Sequence, residues 1–123
     1  MAEQQYSISL DNKFGYLTKF DVPQLVEDNT EDWYNQTLTQ VDGSVVRLGI
    51  VHGEFHWHHH DDEDEVFFVL DGQLEIDIEG HDTVTLGPHQ GFNVPKGVAH
   101  RTRAASKTTM LMMSAADVEP TGS

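Results

Sequence analysis

The chain has 123 residues with 21 acidic and 7 basic side chains, a formal net charge of −14, and no cysteine. This length fits one domain with a single hydrophobic core. The charge disfavours attraction to phosphate backbones or anionic lipid, so neither nucleic acid nor a membrane surface is expected as a partner; the missing cysteine excludes disulfides, thiolate metal sites and a cysteine nucleophile.

The opening "MAEQQYSISLDNKFG" has neither a basic start nor an apolar stretch, so no signal peptide is visible and a cytoplasmic location is expected. No run approaches the roughly 18 apolar residues that a membrane span needs. "YSISL" and "FGYLTKF" alternate weakly, as an edge strand or extended arm. "DVPQLVEDN" reads as a short helix, with Asp21 as N-cap, Pro23 in the first turn and Asn29 near the stop. Residues 1–33 are thus an N-terminal arm with a short helix.

From residue 34 the pattern is strands. Asp42-Gly43 joins two alternating runs, "TEDWYNQTLTQV" and "SVVRLGIV", as a hairpin. "EFHWHHH" alternates, "EVFFVL" is a short apolar run, and Asp71-Gly72 is a second turn. "QLEIDIE" sets Leu74, Ile76 and Ile78 on one face and Glu75, Asp77 and Glu79 on the other. Then come "TVTL", the break "GPHQG", "FNVP", "VAHRTRA" and "TTMLMMS". Short strands punctuated by Gly and Pro make an all-β sandwich or barrel over residues 34–116. A polar tail, 117–123, is expected to fray.

On a strand, "EFHWHHH" places His56, His58 and His60 on one face and Phe55, Trp57 and His59 on the other. Two imidazoles at i and i+2 can bind one ion. Glu65 shares the parity of Phe67 and Val69 and so faces the core, where a carboxylate needs a partner and a metal is a good one. His100 opens a strand whose inward face continues through Thr102 and Ala104, while Arg101 and Arg103 alternate outward. Asp61 to Asp64 reads as a solvated loop.

These residues resemble the two motifs of the small single-domain cupins, the double-stranded β-helix or jelly-roll family. His58-x-His60, four residues, Glu65, six residues and Gly72 resemble the first motif; Pro95-x-Gly97-x-x-His100 resembles the second. Three turn positions depart: Gly53 sits one residue too close, and His89 and Ala104 stand where the family has Gly and Asn. The resemblance implies a cupin barrel with His58, His60, Glu65 and His100 as metal ligands. Three imidazoles and a carboxylate suit one divalent transition metal per chain (iron, manganese, nickel, copper or zinc).

The function expected is therefore that of a metal-dependent enzyme acting on a small organic molecule, with dioxygenase, isomerase, lyase or cyclase chemistry. The alternative is a non-catalytic cupin module that binds a small ligand or a metal. Glu65, as ligand and transient base, and His56, as proton shuttle, hydrogen-bonding neighbour or extra ligand, are the candidate catalytic groups. Phe67, Met110 and Met112 are expected at the substrate pocket. His59 is assigned no role; His52, His81 and His89 are expected at turns or on the surface. A homodimer is expected, through sheet faces or through the arm with Trp33 and Tyr34.

Overall fold

A computed structural model describes residues 6–118 and 120–122; residues 1–5 of the arm, and 119 and 123 of the tail, lie outside it. In chain order the elements are β1 (Ser7–Ser9), α1 (Val22–Asp28), β2 (Trp33–Val41), β3 (Ser44–Glu54), β4 (Glu65–Asp71), β5 (Leu74–Ile78), β6 (Val84–Leu86), β7 (Gly91–Val94) and β8 (His100–Ala115). This is the expected all-β, double-stranded β-helix architecture. All pairings are antiparallel except β1 with β2. The sheet runs β1-β2-β3-β8-β4-β7, with β5 joining β8 and β6 joining β5. It is not closed into a hydrogen-bonded ring among the described residues.

The two runs "VAHRTRA" and "TTMLMMS" form one strand of 16 residues. β8 pairs with β3 along most of its length, with β5 through its first part and with β4 through its second. Apart from exposed Ser106, its even-numbered residues His100, Thr102, Ala104, Thr108, Met110, Met112 and Ser114 are buried.

Apolar side chains form two clusters. The larger lies within the barrel and includes Trp33, Phe55, Phe67, Leu74, Ile76, Met110 and Met112. The smaller lies on the other face of β2 and β3, where Leu38, Leu48 and Ile50 are covered by Phe14, Phe20 and the Val22, Leu25 and Val26 face of α1. The helix begins as expected, with the Asp21 side chain accepting from the Gln24 N–H. "FGYLTKF" is not a strand; its phenylalanines pack as the helix's companions. Trp33, expected to serve the arm, is buried in its own barrel and stacks on Phe55 with ring centroids 5.2 Å apart.

Gly72 after β4 shows why a turn residue is fixed. Its φ is +89°, and a Cβ there would stand 2.6 Å from Thr108 Oγ1 and 2.8 Å from the Lys107 carbonyl oxygen. Gly72→Ala is expected to cost roughly 2–4 kcal/mol, adding left-handed strain to overpacking. A lowered urea midpoint at unchanged m-value checks this.

On the outer sheet face, Arg101 Nε and Arg103 Nε each donate to Asp77 Oδ2 at 2.8 Å, and Thr83 Oγ1 donates to Asp77 Oδ1 at 2.7 Å. Both arginines therefore face outward, as expected, and bind the protein's own carboxylate. Arg103 is the main cause holding the Asp77 carboxyl far below its ordinary value of 3.8, burial opposes it, and Thr83 and Arg101 reinforce it. A depressed folded pKa stabilises above the unfolded value and is lost as pH falls toward the folded one. Asp77→Asn is expected to lower stability by about 2 kcal/mol at pH 7. The gap between wild type and variant should hold from pH 5 to 8 and shrink below about pH 4, as read from denaturation midpoints.

Candidate metal centre

Three imidazoles and one carboxylate converge at one end of the barrel. Glu65 is the first residue of β4, His100 the first of β8, and His58 and His60 lie on the loop after β3. One donor atom from each lies within 4.8 Å of all the others. Backbone bonds hold the loop in place. The His58 N–H donates to the His100 carbonyl at 3.0 Å and the His100 N–H to that of His58 at 2.8 Å. The Gly97 N–H, in the turn of the second motif, donates to the His60 carbonyl at 2.7 Å. From the acidic run, Asp64 accepts the Lys96 N–H at 2.9 Å and so ties the two motif loops together.

Electrostatics ready the donors. His100 Nδ1 lies 2.9 Å from the Val98 carbonyl and His58 Nδ1 3.0 Å from that of His56. With the proton on each Nδ1, the Nε2 lone pair is left for the centre. Burial pushes the His58 imidazole down to about 4, with His100 and His60 adding to the effect against the His56 carbonyl, so the ring is neutral at pH 7. Burial alone would push Glu65 up, but the imidazoles of His100 and His60, when they carry protons toward it, outweigh burial and hold the carboxyl at about 2; a bound cation would take the place of those protons and leave each Nε2 its lone pair. His60 Nε2 and His100 Nε2 stand 3.4 and 3.8 Å from Glu65 Oε1.

Those separations are long for hydrogen bonds. Buried His60 Nδ1 and Nε2 and His100 Nε2 in fact have no hydrogen-bond partner among the described residues. Polar atoms are seldom buried without compensation. An ion about 2.0–2.2 Å from each ligand sets ligand atoms roughly 3–4.2 Å apart; the 3.4 and 3.8 Å separations from Glu65 fall in that range, and no pair exceeds 4.8 Å. The donor set fits a transition metal.

A pocket of about 20 Å³ adjoins the cluster, with His58 and Glu65 in its wall. Phe67, Met110 and Met112 line it, and so do Trp33 and Phe55, which sequence reading placed elsewhere.

Two expectations are corrected here. "EFHWHHH" is not a continuous strand: β3 ends at Glu54, and its register shifts between Val51 and Gly53, where Gly53 has a φ of +111°. Phe55 consequently turns into the barrel, and His56 is exposed with Nε2 2.8 Å from the Thr121 carbonyl. His56 stands outside the four-donor group. The tail, expected to fray, instead folds back: Val118 and Pro120 are buried, and Pro120 joins the pocket wall. Gly122, at φ +103°, lies so close that a Cβ would stand 2.7 Å from His58 Cβ.

The family model "Cupin domain" matches residues 45–116, more than half of the chain. The chain belongs to the cupin domain family. This cupin is 42% identical over 77 residues to the uncharacterized protein YdbB of Bacillus subtilis (strain 168), covering 63% of this chain and 68% of that protein. Its fold matches a cupin-2 domain containing protein from Shewanella frigidimarina NCIMB 400, with TM-score 0.71, 28% identity, and coverage of 76% of this chain and 91% of that one. It also matches ectoine synthase from P. lautus with TM-score 0.65 and 17% identity, over 80% of this cupin and 78% of the synthase, a likeness of fold alone.

Proposed function

We propose that this cupin binds one divalent transition metal through His58, His60, Glu65 and His100 and acts as an enzyme on a small organic molecule. The observation that carries the reading is the convergence, on a single ionised carboxylate, of buried imidazole nitrogens that lack hydrogen-bond partners among the described residues. Such an ion, when bound, supplies Lewis acidity toward substrate oxygens or, for redox-active metals, dioxygen chemistry. The chain's own residues do the rest. The His56 and Val98 carbonyls fix the tautomers of His58 and His100. Glu65 offsets charge and is the candidate base beside the pocket, while the aromatic and methionine walls exclude water.

Tag-free protein loaded separately with iron, manganese, nickel, copper or zinc would be screened for product formation and oxygen consumption. Diketones, phenolics, thiols and sugars form the panel. Turnover with one metal, absent from the metal-free protein, is the expected result. One tightly held ion with no turnover across the panel would move the assignment to the non-catalytic binding module.

A further inference from the structure

Beyond the four donors, one buried polar side chain of the pocket is left unsatisfied among the described residues. Asn35 is 8% exposed, and its Oδ1 is buried without a hydrogen-bond partner. It lines the same pocket as Glu65 and His58. On β2 it lies two residues after the inward-facing Trp33, opposite Gly49 of β3, which is itself opposite Met110 of β8. Gly49 makes room in this row for the methionine ends: a Cβ there would stand 2.9 Å from Met110 Cε and 3.0 Å from Met112 Cε.

We infer that Asn35 is the ligand-reading residue of the pocket, its side-chain amide hydrogen-bonding a hydroxyl on the molecule held at the metal centre. The inference rests on the metal reading above. A buried amide oxygen without a partner is costly, and one placed beside a reactive centre recovers that cost when a ligand hydroxyl donates the missing bond. Sites built to bond a hydroxyl discriminate strongly against analogues that lack it.

The remaining wall narrows the chemical class. Apart from Thr102 and the metal-site residues, the lining is apolar, with Trp33, Phe55, Phe67, Met110 and Met112 prominent. Among the described residues it holds no lysine or arginine, so beyond the ion itself the second anionic group of a phosphate ester or dicarboxylate finds no countercharge. A polyol would bury several hydroxyls against methionine and aromatic rings without partners. The match is a neutral, flat, mostly apolar molecule with one oxygen function for the metal and one hydroxyl for Asn35. Because the free space is about 20 Å³, close to one or two waters, such a ligand has to displace the flexible methionine ends or Pro120.

The test uses metal-loaded protein and a matched set of chelating probes: benzohydroxamic acid and its 3-hydroxy and 4-hydroxy derivatives. Wild type is expected to bind one hydroxylated probe about tenfold more tightly than the parent, the effect of one hydrogen bond to a buried group. Asn35→Leu should erase that preference while leaving metal content and parent-probe affinity within about twofold of wild type. If the leucine variant does not fold, Asn35→Ala removes the amide without added bulk and gives the same readout. The inference is overturned if wild type shows no hydroxyl preference, binds none of the probes, or keeps its preference in the variants. Metal analysis separates the two failures: protein that takes up no ion overturns the metal reading, and this inference with it.

Discussion

Replacing His100 with alanine is expected to strip the metal from tag-free protein, from near one ion per chain to below about a tenth, because losing a direct ligand should exceed the 10–100-fold typical of losing an outer partner. His60→Ala should do the same. Both side chains are buried, and among the described residues their Nε2 atoms have no hydrogen-bond partner. The variants also separate ligation from folding. If the ion binds only the folded state, wild type should gain about 2.7 kcal/mol at a free metal concentration a hundred times Kd, and the variants almost nothing. His81→Ala, at an exposed turn position, serves as the control and should retain its ion. Metal content unchanged in both His60→Ala and His100→Ala would end the assignment.

Deleting everything after Ala116 is expected to give the second-largest effect. The deletion exposes the wall where Pro120 stands and removes buried Val118, a side chain whose burial stabilises by about 1.5–3 kcal/mol. A fall in Tm of roughly 5–12 °C follows for a domain of this size. The sharper readout is kinetic: a chelator should extract the ion at least tenfold faster, since the peptide that rests on His58 and accepts from His56 is gone. His56→Ala, which removes that contact alone, should lie between wild type and the truncation. Chelator rates identical in all three proteins would show that the tail does not guard the centre.

The parts of this fold that could be read from sequence are those governed by local rules. The alternation of Leu74, Ile76 and Ile78 and the Asp71-Gly72 turn need only the pleat and one left-handed residue. The four donors were legible because two motifs at fixed spacing carry them. Features decided by distant contacts were not legible. The register shift at Gly53 breaks period-two counting, so Phe55 and His56 exchanged the faces expected of them. In β8, exposed Ala105, Ser106 and Lys107 interrupt the apolar pattern and imitate a loop, although the strand runs on through them as a bulge between the pairs Val51–Thr108 and Gly53–Ala104. Val118 and Pro120 sit in a polar stretch with no period at all, and only the barrel mouth explains their burial. Asn35 lies within a polar run of β2, where nothing local separates an inward amide from an outward one.

The long last strand also has a consequence for the order of events in synthesis. β8 is the shared neighbour of β3, β4 and β5, so most of the sheet's lateral bonds wait for the final quarter of the chain. A nascent polypeptide that has emerged only as far as β7 holds hairpins but no barrel, and it lacks His100. Such non-local closure is slow and leaves strand edges open meanwhile. The complete ligand set therefore arises only when the last strand docks, so tight capture of an ion should report a finished molecule and not a partly made one.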